Sequence, residues 1–215
     1  MLGTTIDTPK KGTRILLVRH GETDWNKTRR FQGRSDVPLN QNGIGQAHAL
    51  AMALRREPIA AIYSSPLIRA LDTARIIKTF HPLALLLQAE GLAEMDLGDF
   101  EGMLAHHWAE KYPDFRKAWL EKPLSVTMPG GECLQAVQTR ALDTLERIIK
   151  RYPPETTLLF CGHGFVNRTI LCHALNLSLD RFREVPQDTA ALNILYKCDE
   201  RWYAEAVNTR DRINE

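Results

Sequence analysis

Apolar residues in this chain fall in short unbroken runs rather than in strict alternation. Arg14 leads into Ile15-Leu16-Leu17-Val18, and comparable runs stand at 59–63 and 157–161. Runs of this kind suit strands buried on both faces, as in a largely parallel sheet. Between them the period changes to that of helices. Residues 42–55 are rich in Ala and Leu and stop before Pro58. Ser65-Pro66 reads as an N-cap followed by proline at the first helical position, which opens a helix from Pro66 to Phe80. Over 132–151, Leu134, Val137, Ala141, Leu145 and Ile148 share one face, and Lys150-Arg151 ends the helix ahead of Pro153-Pro154. Glu132 is expected in its first turn, where acids are favoured. A further helix is expected after Gly164. Leu83–Leu87 reads as another strand, and 190–196 with 201–207 as a hairpin around Asp199-Glu200. Trp108, Tyr112, Phe115 and Trp119 recur at steps of three and four, the pattern of a packed helix face.

This order, βαβα, a helical stretch, then βα and a hairpin, predicts an α/β sandwich. Its 215 residues suffice for one domain with a full core. Residues 1–13 are polar and read as a flexible tail, which leaves 14–209 as the domain. The formal net charge of +2 argues against a broad nucleic-acid surface while permitting a small basic pocket. No stretch has the length of a membrane span, and the N-terminus lacks the apolar core of a secretory signal. Four cysteines without CxxC spacing read as cytosolic thiols, hence a cytoplasmic protein. Cys161–Arg168 and Cys133–Arg140 each enclose six residues, one too many for the Cys-x5-Arg loop of cysteine phosphatases.

Polar residues just past the carboxyl ends of strands gather in one crevice of such sheets. The first run delivers Arg19 and His20, followed by Gly21, which allows close backbone approach. An imidazole beside a fixed guanidinium is held neutral, and a neutral imidazole is a nucleophile. Guanidinium is the natural partner of phosphate oxygen. The second run delivers Ser64-Ser65-Pro66 and Arg69; the third delivers Gly162-His163-Gly164 at a helix mouth. Two arginines, two histidines and two helix N-termini converging on one place make an anion site suited to a phosphate dianion. His106-His107 invites a metal reading, but adjacent helical residues point about 100° apart and no third ligand has suitable spacing.

Several segments, in order, resemble the motifs of the histidine phosphatase superfamily, the phosphoglycerate-mutase-like proteins. They are Arg19-His20-Gly21-Glu22-Thr23-Asp24-Trp25-Asn26 with Phe31-Gln32-Gly33-Arg34-Ser35-Asp36-Val37-Pro38-Leu39, and Ser64-Ser65-Pro66-Leu67-Ile68-Arg69-Ala70 with Thr73-Ala74. Leu92 to Gly102, Gly130-Gly131-Glu132 and Gly162-His163-Gly164 complete the set. The resemblance implies a three-layer sandwich with a mostly parallel central sheet and a helical insertion, 103–130, that lies over the active site and sets specificity. One or two of its aromatic residues are expected to line the pocket.

The resemblance also implies roles. His20 would be the nucleophile that forms a phosphohistidine, its other ring nitrogen donating to a backbone carbonyl. Arg19, Arg69 and His163 would clamp the phosphoryl oxygens. Asn26, Gln32 and Gly164 would complete the substrate site, and Glu94 would be general acid and then base. Thr23 and Glu22 would shape the loop. Neither metal nor cofactor is needed. Only 27 residues separate Gly102 from Gly130, too few for the long insertion of the mutases. The sequence therefore reads as the phosphatase branch, resembling α-ribazole phosphatases and broad-specificity phosphatases, with a small phosphorylated metabolite as substrate. Phosphoglycerate-mutase-type transfer, or a phosphate-binding regulatory module without turnover, is the alternative. A homodimer is compatible with the pattern; nucleic-acid and membrane partners are not expected.

Overall fold

In the computed structural model, which describes residues 12–209, the apolar runs do become the centre of one sheet. β1 (Thr13–Arg19), β2 (Ile59–Ser64), β3 (Leu85–Gln88) and β4 (Thr157–Gly162) are parallel to one another. β5 (Leu192–Cys198) and β6 (Arg201–Thr209) close the β1 side as an antiparallel hairpin turning at Asp199-Glu200. The strand order is β3-β2-β4-β1-β5-β6. β1 begins at Thr13, and residues 1–11 of the expected tail lie outside the described residues.

The unbroken runs conceal a period of two that feeds opposite layers. Ile15, Leu17, Leu158 and Phe160 pack with Val137, Ala141 and Leu145 of α6 (Leu134–Ile149) and Val166 and Ile170 of α7 (Gly164–Ala174). Leu16, Val18, Leu159 and Cys161 face the other way, against Leu50 and Leu54 of α2 (Gln41–Leu54) and Ala70 and Ile77 of α3 (Ile68–Lys78). Every strand residue of β1 from Ile15 to Val18 is fully buried. Helices on both faces of a mostly parallel sheet make three layers. A short α1 (Asp24–Lys27) follows β1.

Two local expectations are corrected. Ser65 does not cap α3; Leu67 precedes its first residue, and the helix starts two residues later than Pro66. The aromatic stretch is not one helix but two, α4 (Ala105–Lys111) and α5 (Pro113–Glu121), broken at Tyr112. Proline disfavours helical backbone in the residue before it, so Pro113 forces the break. Phe100 fills the angle, with ring centroids 5.8 Å from Trp108, 5.1 Å from Tyr112 and 4.9 Å from Phe115.

Candidate active site

The carboxyl ends of β2, β4 and β1 lie side by side, so Ser65, His163 and Arg19-His20 meet at one edge of the sheet. A cleft of about 540 Å³ opens there, lined by Arg19, His20, Asn26, Arg69, Glu94 and Arg168 among others. His163 stands behind it, fully buried, with its ring centroid 5.1 Å from that of His20. Among the described residues, no group of three or more His, Cys, Asp or Glu is arranged to hold a metal ion.

His20 Nδ1 lies 2.6 Å from the Gly21 carbonyl, which has only lone pairs, so Nδ1 carries the proton and Nε2 the free pair. Burial, then Arg69 and Arg19, pull the His20 pKa well below 6.5, against the carbonyl bond that raises it. Gly21 does allow close backbone approach, and the backbone it admits is that of Gly43. A Cβ on Gly21 would stand 2.4 Å from the Gly43 carbonyl oxygen, and one on Gly43 would stand 2.0 Å from that of Glu22. The His20 loop is thus seated on the start of α2 by two glycines in contact. The Gly21 N–H donates to Thr73 Oγ1 at 3.1 Å, fastening the same loop to α3.

Each arginine is held by carbonyls. Arg69 is 1% exposed and donates from Nη1 to Ser35 O and from Nη2 to Gly33 O, both at 2.8 Å. Burial lowers its pKa, partly offset by Glu94, Asp36 and Glu101. Arg19 donates to Gln187 O. Burial brings the Arg19 pKa down to about 10, with Glu94 opposing, so it remains a cation near neutral pH. Nε of both arginines is buried without a protein partner.

Glu94 sits against the N-terminus of α7. Its Oε1 accepts the N–H groups of Met95 at 2.9 Å and of Phe165 and Val166 at 3.2 Å, while Oε2 shares only the Phe165 N–H at 3.1 Å. Oε2 is therefore the less committed oxygen. A Cβ on Gly164 would lie 3.6 Å from Oε2 and from Arg19 Cζ, which places this glycine at the wall of the site. Asn26 Oδ1 lies 3.0 Å from both Thr23 N and Thr23 Oγ1, so it is turned inward and leaves the amide NH₂ for a ligand. Gln32 Oε1 is tied to Thr23 Oγ1 at 2.9 Å in the same way. Thr23 and Asn26 form a capping box on α1.

Three supports were not visible in the sequence. Glu101, one of several acids near Glu94, takes Arg34 N at 2.6 Å, Ser35 N at 2.8 Å and Ser35 Oγ at 2.7 Å, building the turn that holds Arg69. Arg140 on α6 donates to the carbonyls of Gly91, Ala93 and Glu94 and to both oxygens of Glu132. Glu132 therefore does not sit in the first turn of α6. Its carboxylate links Arg140 to Asp96 N at 2.9 Å, and it fixes the backbone beneath Glu94. Arg168, on the cleft side of α7, donates from Nε to Val185 O at 2.9 Å and adds a further cation.

The insertion aromatics do not line this cleft. Trp108 and Trp119 line a small apolar cavity beside it, and Phe31, Leu97 and Phe165 border both. Cys161 is fully buried in the packing between sheet and helices, and burial pushes its thiol up. No helix among the described residues is long and apolar enough to cross a membrane.

Two buried imidazoles make stability depend on pH. Burial, then Arg69, His20 and Arg19, also hold the His163 pKa well below 6.5; His81 and His173 are lowered as well. Below about pH 6.5 the unfolded chain binds protons that the folded chain refuses. Stability from this source is complete above that pH and is lost as the pH falls. Thermal melts should be flat near and above pH 7 and drop on acidification; a melting temperature that rises towards pH 5 would contradict the buried neutral pair.

Two buried histidines beside carbonyl-anchored arginines, at the carboxyl edge of this sheet, make a site suited to an anion. The model of the histidine phosphatase superfamily (branch 1) matches residues 15–210, and the chain belongs to that superfamily. It is 35% identical over 188 residues to phosphoserine phosphatase 1 of Hydrogenobacter thermophilus, covering 87% of this chain and 88% of that one. It is 33% identical over 197 residues to the metal-independent phosphoserine phosphatase of Arabidopsis thaliana, covering 90% and 80%. Among solved structures, Bacillus stearothermophilus YhfR superposes with a TM-score of 0.84 at 33% identity, over 91% of this chain and 96% of that one. The protein is a phosphoric monoester hydrolase of the histidine phosphatase type.

Proposed function

We propose that this chain hydrolyses a small phosphorylated metabolite without a metal, through a phosphohistidine on His20. The observation that carries this reading is the bond between His20 Nδ1 and the Gly21 carbonyl, which leaves Nε2 with its lone pair on a ring that feels the charges of Arg69 and Arg19. Arg19 and Arg69 bind the phosphoryl oxygens, with His163 and the Asn26 amide as further donors. They offset the charge that spreads over those oxygens in the transition state. Nε2 attacks phosphorus as the ester P–O bond breaks, and Glu94 Oε2 gives its proton to the departing alkoxide. The carboxylate then takes a proton from water as the water oxygen attacks phosphorus, releasing phosphate and restoring His20. The arginines supply the positive charge that a metal would supply elsewhere.

The relatives named for phosphoserine make that ester the first metabolite to assay. Arg30, which donates to Gly102 O, and Arg168 also border the cleft, so a leaving alcohol that carries its own carboxylate meets positive charge. p-Nitrophenyl phosphate and phosphoserine should be turned over with EDTA present. Activity that appears only when a divalent ion is added would overturn the metal-free reading.

A further inference from the structure

We propose that Ser65 is a positioning residue that sets the tautomer of His163, keeping the proton on Nδ1 as a donor to the transferred phosphoryl group. His163 Nε2 lies 2.7 Å from Ser65 Oγ, and both residues are fully buried. The Ser65 hydroxyl already accepts the Leu67 N–H at 3.2 Å. If Nε2–H donated to it as well, the oxygen would accept twice and its own proton would have no acceptor among the described residues. Reversing the bond removes that conflict. The hydroxyl donates to the Nε2 lone pair, accepts from Leu67, and leaves the ring proton on Nδ1.

Nδ1 is buried without a protein partner. As a bare lone pair beside a phosphate dianion it would repel the ligand; as N–H it donates. Burial and the two arginines keep the ring neutral, so it has one proton and the position of that proton matters. This also explains why Ser65 does not cap α3: the serine that begins the turn is committed to the histidine across the sheet. Ser65 N donates to Cys161 O at 2.9 Å, which fixes the β2 loop against β4, the strand that leads into His163.

The tautomer follows from the hydrogen bonds alone, whereas its use rests on the proposed phosphoryl transfer. The test is the ¹⁵N spectrum of the full chain labelled at histidine, with His163 assigned by its loss in His163→Asn. The expected result is a protonated Nδ1 and an unprotonated Nε2 at pH 7. A protonated Nε2 would overturn the proposal, whatever the enzyme's activity. Ser65→Ala should release the preference, giving averaged His163 shifts, and should weaken binding of inorganic phosphate roughly tenfold, as loss of one oriented donor does. Unchanged His163 shifts in folded Ser65→Ala would overturn the assignment to Ser65. Unchanged phosphate affinity with altered shifts would overturn the role of Nδ1 as donor. The expected spectrum in a protein without turnover would instead fault the hydrolytic reading and leave the tautomer standing.

Discussion

His20→Ala is expected to lower phosphatase turnover by roughly 10⁴-fold or more, because loss of a covalent nucleophile has costs on the order of 10⁴ to 10⁶ in rate. Phosphate affinity should change far less. Arg19 and Arg69 are anchored independently of His20, through the Gln187 carbonyl and the Gly33 and Ser35 carbonyls, so their placement should survive the truncation. The loss should therefore appear in kcat rather than in the inhibition constant of inorganic phosphate. A folded His20→Ala protein that retained more than a few per cent of turnover would mean that some other group attacks phosphorus.

Glu94→Gln should separate the two chemical steps. The amide keeps the shape of the carboxyl group but cannot give or take the proton. General acid–base catalysis contributes about 10²–10⁴-fold, and turnover of phosphoserine or another alkyl ester should fall by that order. p-Nitrophenolate departs without protonation, so formation of the phosphoenzyme from p-nitrophenyl phosphate should be largely spared. Its hydrolysis still needs a base, and the variant should show a burst of about one equivalent followed by slow release. Equal losses for both esters with no burst would remove Glu94 from the proton-transfer role.

The frame of this architecture was legible because it rests on burial. β1 and β4 are apolar on both faces, and their ends could be read as the place where Arg19, His20 and His163 gather. The choice of Glu94 among Glu90, Asp96, Asp99 and Glu101 was not of that kind. It came from resemblance, and the geometric reason, three backbone N–H groups including two at the mouth of α7, joins residues 71 and 72 positions apart. Glu101 was hidden for the same reason. Its partners Arg34 and Ser35 are 67 and 66 positions away, and no local period marks it. Glu132 reads locally as a first-turn acid, and only the fold of α6 brings the Arg140 guanidinium to its carboxylate and under the Glu94 backbone. Pro113 did carry a local signal for the break between α4 and α5, but the aromatic spacing across it masked the interruption. Ser65-Pro66 shows the opposite failure: a good local capping pattern gave way to a tertiary bond with His163.

The phosphohistidine itself is read by rapid quenching of the enzyme with a ³²P-labelled phosphomonoester into alkali, followed by mapping of the labelled peptide. The expected result is an alkali-stable, acid-labile label on His20 that is absent from His20→Ala and accumulates in Glu94→Gln. Turnover with no labelled protein in Glu94→Gln, or label on any residue other than His20, would contradict the account.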